Sequence, residues 1–239
     1  MKAGGKCHAG QVNSIQSASL MQIFDARNRG PIWGEFTRAQ NGLAISNLAR
    51  AFHLPRPQAK AAILSMLGAL IQRFDELQLK LCAQVRVGLD WKDFHQASYR
   101  AISEFLREAG IITVSADEAV DNALTSVFYP HGIGHLLGLQ VHDVGGTQGS
   151  PDGKQIERPY NHPFLRLTRR LEDGFVVTVE PGFYFIDQLL DEAKAKPIGK
   201  MINWKRVAEL KHFGGVRIED NVVARPGGQE NLTRLAFDA

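Results

Sequence analysis

Cysteine is nearly missing from the 239-residue sequence: Cys7 and Cys82 are too few for a disulfide framework or a cysteine-rich zinc module. No apolar run approaches the roughly 20 residues that a membrane helix requires, and no signal-peptide pattern opens the chain, which therefore reads as cytoplasmic and without a membrane partner. The most informative absence is of acid. Between Phe36 and Phe74 there is no Asp or Glu, and residues 1–74 carry nine Lys/Arg against Asp25 and Glu35, a balance of +7. Residues 75–239 carry 19 basic and 23 acidic side chains, a balance of −4 that the overall +3 conceals. A basic segment is the footprint expected of an anionic partner. Here the cations are scattered, with no run and no interleaved aromatics, so nucleic acid is not expected to be one.

With 44% hydrophobic and 22% charged residues, the chain has ample material for a buried core. Residues 1 to about 60 show no sustained period and are punctuated by Pro31, Gly34, Pro55 and Pro57. From Ala61, Ile63, Leu67, Leu70, Phe74, Leu77 and Leu81 recur at steps of three and four, one face of a long helix. A second helix is expected from Asp90 as N-cap, burying Phe94, Ile102, Phe105 and Leu106 and closing near Gly110. Ser115 with Glu118 has capping-box spacing and announces a short third. After Leu124 the texture is strand-like, with one strand over Phe175–Val179 broken by Pro181-Gly182. Another covers Val216–Ala224, with Val216 and Ile218 on one face and Arg217 and Glu219 on the other. Helices first and strands later predict an α+β domain.

Three of the eight histidines fall within Pro130-His-Gly-Ile-Gly-His-Leu-Leu-Gly-Leu-Gln-Val-His-Asp143. Gly132 and Gly134 argue against a helix there, and a glycine-rich loop running into a strand is expected. Glu180 sits at a strand end, and Glu219 lies within a strand flanked by apolar residues. A carboxylate in such a place is costly to desolvate unless a cation or strong donors meet it. The plainer reading is a pair of strand-edge carboxylates, one paired with Arg217. Set beside the histidines, one imidazole and two carboxylates suit a divalent ion such as Mn²⁺, Co²⁺ or Zn²⁺.

The Pro130–Asp143 segment, Val179-Glu-Pro-Gly182 and Gly214-Gly-Val-Arg-Ile-Glu-Asp-Asn221 together resemble the last three motifs of the pita-bread metallopeptidases. The branch most resembled is the Xaa-Pro dipeptidases, or prolidases. Asn161-His-Pro-Phe-Leu-Arg166, Phe183-Tyr-Phe-Ile-Asp187 and Ile202-Asn-Trp-Lys-Arg-Val-Ala-Glu-Leu-Lys211 resemble the bacterial type, so that the likeness spans about residues 65–239. The resemblance implies a creatinase/aminopeptidase-like α+β domain, cytoplasmic, that binds a small Xaa-Pro peptide and releases its proline, with two Mn²⁺ ions in the family and Co²⁺ or Zn²⁺ as substitutes. It implies His135, Glu180 and Glu219 as metal ligands, and His131 and His142 as histidines that steady the scissile carbonyl and its tetrahedral intermediate. Arg217 would orient Glu219, and Arg166 would clamp the substrate's terminal carboxylate. Its plainer reading is a surface arginine beside Arg169 and Arg170. A homodimer is a further implication.

The resemblance also implies two aspartates about eleven residues apart, upstream of the long helix, and the acid-free stretch stands where they belong. Asp25 and Glu35 are the nearest imitation, at a spacing of ten, and a one-residue slip turns one side chain to the other face of a strand. His53 is the counterpart of a further upstream histidine only by position. Residues 1–60 are therefore read as an atypical segment, disordered or frameshifted, and 61–239 as the C-terminal part of a domain incomplete at its N-terminal half. His135, Glu180 and Glu219 alone would hold one ion or none. A non-catalytic pita-bread module that holds a peptide, an inactive fragment, and an Xaa-Pro aminopeptidase remain open as alternatives.

Overall fold

In the computed structural model, which describes residues 20–24 and 56–238, the leucine stripe lies on helix α1 (Arg56–Cys82). Leu67, Leu70, Phe74 and Leu81 are buried and Leu77 is half-buried, while the side chain of Ile63 is outside the described residues. The helix starts before Ala61 because Pro57 falls in its first turn, where an N–H has no partner to lose. Helix α2 (Trp91–Glu108) is capped by Asp90, whose carboxylate accepts the Lys92 N–H at 3.0 Å, and it buries Phe94, Ile102, Phe105 and Leu106. Gly110, at φ 71°, follows its end. Ser115 caps α3 (Ala116–Asp121) by accepting the Glu118 N–H at 3.2 Å.

The strand-like texture after Leu124 instead opens on a helical turn, α4 (Thr125–Phe128). Packing overrides the β-preference of these residues: Val127 and Phe128 are buried, and the Thr125 and Ser103 hydroxyls pair at 2.6 Å. Two strands follow, β2 (Val176–Val179) and β3 (Gly182–Tyr184), then α5 (Asp187–Lys194) and α6 (Trp204–Leu210). The Asn203-Trp204 dipeptide has a structural role. Asn203 accepts the Arg206 N–H and donates to the Gly110 carbonyl, and the Trp204 indole donates to the Gly199 carbonyl. The chain closes on β4 (Gly215–Arg225), β5 (Gly228–Asn231) and α7 (Leu232–Asp238).

β4 is the axis of an antiparallel sheet. β3 and β2 line one edge, with Gly182 opposite Arg217 and Val179 opposite Asp220, while β1 (Leu20–Phe24) and β5 line the other. The break expected at Pro181-Gly182 is local, since the register is the same on both sides of it. β1 lies inside the segment in which the sequence shows no period. The alternation of β4 divides the sheet. Val216, Ile218, Asp220, Val222 and Ala224 face the helices and are buried, and Arg217 and Glu219 face away. Asp220 on the helix side is met by Arg234 of α7 at 2.8 Å and Asn231 at 2.9 Å, and Arg234 also grips Asp75 of α1 at 2.6 Å. Burial and Asp220 together push the Cys82 thiol well up, so it is inert as a nucleophile.

The histidine loop runs beside β2 as an unassigned third member. Residue pairing is limited to the Leu136–Val177 bridge, yet Thr178 N–H donates to His135 O at 2.9 Å and Glu180 N–H to Ile133 O at 2.8 Å. It does not become the regular strand that was expected, because the chain bends away after Leu137. The loop approaches so closely that a Cβ on Gly134 would overlap the Thr178 carbonyl. Gly134→Ala is therefore expected to destabilise the chain by more than about 3 kcal/mol, since backbone must move. Gly68→Ala, in α1 with nothing within 4 Å, should stabilise it by about 1 kcal/mol. Thermal unfolding of the two variants checks both signs.

Candidate metal centre

The register of β2 and β3 against β4 sets Glu180 directly across from Glu219, with both side chains on the face away from the helices. Carboxylates so placed have Cβ atoms about 5 Å apart and repel one another. His135, across from Thr178 by the Leu136–Val177 bridge, lies on the same face. Three chain segments thus bring the three expected ligands to one patch of sheet.

The electrostatics follow from that placement. Glu180 is 9% exposed. Burial, then the charge of Glu219, push its carboxyl up to about 7, against the pull of Arg217 and the Thr178 hydroxyl. Thr178 Oγ1 donates to Glu180 Oε1 at 3.2 Å and accepts the His135 N–H at 3.0 Å. Gln78 of α1, fully buried, donates to the Val179 carbonyl at 2.6 Å and fixes the backbone just before Glu180. Arg217 lies 3.4 Å from Glu180 Oε2 and 4.0 Å from Glu219 Oε2, closer to the strand partner than to its own neighbour on β4.

His135 fits a metal on two counts. Burial lowers its pKa, so the ring is neutral, and its Nδ1 lies 3.0 Å from the Leu136 carbonyl, which assigns the proton to Nδ1. The Nε2 lone pair then faces Glu180 Oε1 at 3.5 Å, an acceptor opposite an acceptor. Two ligand atoms, each about 2.1 Å from a tetrahedral ion, stand at about that separation. Glu219 is turned to Arg217, and among the described residues no three His, Cys, Asp or Glu side chains converge as a cluster. The pair His135–Glu180 is therefore formed and Glu219 adjoins it. Neutral imidazole with two crowded carboxylates is a donor set suited to one borderline or hard divalent ion.

The other expected residues surround this pair. His131 is half-buried, and desolvation of its ring pushes its pKa down to about 4. Both its ring nitrogens are engaged, Nδ1 with the Gly132 carbonyl at 2.9 Å and Nε2 with the Tyr184 hydroxyl at 2.7 Å. His142 is exposed, its ring 4.4 Å from that of His135. Arg166 is exposed and near enough to depress the pKa values of His135 and His142. A cleft of about 480 Å³ is lined by His131, His142, Arg166, Glu180 and Arg217, together with Pro130, Arg158, Pro163 and Phe164. Asp25, Glu35 and His53 lie outside the described residues.

Sequence reasoning missed Tyr184, Thr178 and Gln78. The first two could have been found by the period of two, which puts Thr178, Glu180, Gly182 and Tyr184 on one face. A Cβ on Gly182 would overlap the Tyr184 hydroxyl, so glycine makes room for it. Gln78 carried no signal, being one of many polar residues along α1.

The sequence profile of Metallopeptidase family M24 matches residues 39–226. The chain belongs to this family. An α+β architecture with a central antiparallel sheet is the family's pita-bread fold, and the match starts upstream of the motifs, within the acid-free stretch. The Xaa-Pro dipeptidase of Xanthomonas euvesicatoria pv. vesicatoria is 51% identical over 169 residues, 71% of this chain and 38% of that protein. The Xaa-Pro dipeptidase of Stenotrophomonas maltophilia is 50% identical over 171 residues, 72% of this chain and 39% of that protein. The chain thus spans less than two-fifths of the length of these relatives. Among solved structures, Pseudomonas aeruginosa aminopeptidase PepP is 31% identical, with a TM-score of 0.47 over 66% of this chain and 29% of that one.

Stability should register the raised carboxyl of this M24 site. With its folded value near 7 and its ordinary value 4.5, Glu180 contributes stability fully present below pH 4.5 and lost as pH rises through 7, a loss of roughly 3 kcal/mol. His131 and His95, which burial lowers to about 4 and about 3, act oppositely up to pH 6.5, so parent and Glu180→Gln must be compared. In EDTA, the stability advantage of Glu180→Gln over the parent is expected to grow between pH 5 and pH 8. Urea titrations at the two pH values measure it, and parallel pH dependence would contradict the assignment.

Proposed function

We propose that this chain hydrolyses Xaa-Pro dipeptides in the cytoplasm and releases proline, using Mn²⁺ held by His135, Glu180 and Glu219. The supporting observation is the neutral His135 Nε2 facing Glu180 with Glu219 in register across the strand. The names of the relatives point to the same substrate class. One ion is the reading the described donors support.

When bound, a divalent ion supplies Lewis acidity, lowering the pKa of water and polarising a peptide carbonyl. The side chains supply the rest. His142, exposed beside His135, is placed to donate to the carbonyl oxygen as negative charge develops there. Glu219 accepts the proton of the attacking water and returns it to the proline nitrogen, which can leave only as a protonated amine. Arg217 faces both glutamates, and the Tyr184 hydroxyl at His131 Nε2 fixes that ring as a wall of the cleft. Arg166, whose planar fork matches a carboxylate, takes the peptide's C-terminus.

Mn²⁺-loaded protein is expected to release proline from an Xaa-Pro dipeptide, and Glu219→Ala or EDTA to reduce the rate at least about 100-fold. Colorimetric assay of free proline checks this. No release at any metal concentration would sink the proposal, and peptide binding indifferent to EDTA would replace it with a non-catalytic module.

A further inference from the structure

From Arg73 onward, every described arginine side chain except Arg86, Arg158 and Arg166 lies within ion-pair distance of a carboxylate. Two of those three, Arg158 and Arg166, line the same cleft. An exposed guanidinium without a carboxylate is ordinary, but two in one cleft beside a catalytic patch form an anion-binding edge.

The backbone delivers them together. Residues 147–156 double back on themselves, with Ile156 N–H donating to Thr147 O at 2.7 Å and Gly149 N–H to Lys154 O at 2.7 Å. Thr168 then ties the returning arm down, its hydroxyl donating to Ile156 O at 3.0 Å and its N–H to Gly146 O at 2.9 Å. Arg158 leaves this arm and donates through Nε to the Leu165 carbonyl at 2.6 Å, immediately before Arg166. With Nε spent on the backbone, the two terminal nitrogens of Arg158 remain as an end-on fork, held in place before any ligand arrives.

We propose that Arg158 is a specificity-determining residue that joins Arg166 in gripping one terminal carboxylate, so that the cleft accepts peptides ending at the residue after the scissile bond. The inference rests on the peptidase reading. A longer or amidated peptide has an uncharged amide in place of that carboxylate, and leaves both cations unsatisfied. A role confined to bracing the Leu165 carbonyl would instead affect all peptides alike.

The test is calorimetric titration of EDTA-treated full chain with leucyl-proline and with leucyl-prolinamide, probes that are not turned over under these conditions. The parent is expected to prefer the free acid by at least about tenfold. Arg158→Ala should shrink that preference to about threefold or less, by weakening the acid and leaving the amide unchanged. Arg158→Lys, which keeps the charge but not the fork, should fall between. Equal weakening of both probes, an unchanged ratio in Arg158→Ala, or no binding of the acid by the parent would overturn the proposal. Proline release that is indifferent to Arg158 would sink this inference alone. Carboxylate-dependent binding without hydrolysis would sink the peptidase reading alone.

Discussion

Glu180 and Glu219 face each other across neighbouring strands, on a patch where burial already penalises charge, and much of the chain is arranged to hold them there. The register that opposes them comes from the other side of the sheet. Val177, Val179, Val216, Ile218 and Val222 bury against α1 and α2, and a slip by one residue would send that apolar row to the cleft. Burial of the helix-side row thus pays for the repulsion on the site side. Gln78 and Thr178 fix the carboxylate's backbone and side chain, and the close approach at Gly134 brings an imidazole to within 3.5 Å of it.

Two kinds of cation act on the pair. Arg217 reaches both carboxylates but is too distant from either for a tight ion pair, which is why Glu180 remains raised despite it. A divalent ion between His135 and Glu180 would act at shorter range and with twice the charge. The same logic explains the histidines. Burial keeps His131 and His135 neutral, the state in which an imidazole can ligate or accept, and their partners decide which does what. His135 spends Nδ1 on a carbonyl and keeps Nε2 for the site, whereas His131 spends both nitrogens on protein. His142 differs from both in being exposed, and so can meet a substrate.

Much of this was readable beforehand because it is periodic or capped. The α1 stripe, the Asp90 and Ser115 caps, and the alternation that separates Ile218 from Glu219 are local patterns with local causes. The glutamates and His135 stood out because charge in an apolar context is costly. What the pattern could not convey is long-range register. Glu180 lies opposite Glu219 only because β2 and β3 share one register across Pro181, and no spacing within either strand announces it. Tyr184 and Gln78 act through partners distant in sequence, and α4 forms where propensity favours a strand because Val127 and Phe128 have a core to enter. The basic N-terminal segment, which first reads as a candidate anionic-partner surface, contains β1, whose backbone pairs with the strand that carries Arg217 and Glu219.

The most direct test of the central claim is to titrate EDTA-treated, dialysed protein calorimetrically with Mn²⁺ at pH 7, in two buffers of different ionisation enthalpy. If a divalent ion relieves the crowding of Glu180 and Glu219, binding must expel the proton that Glu180 holds at its value of about 7, so a fraction of a proton should be released per ion bound. Glu180→Gln should abolish the proton release and weaken binding, and Glu219→Gln, which removes the charge that helps to raise Glu180, should weaken binding and reduce the proton release. Mn²⁺ affinity unaffected by either substitution, or no binding at all, would contradict the account.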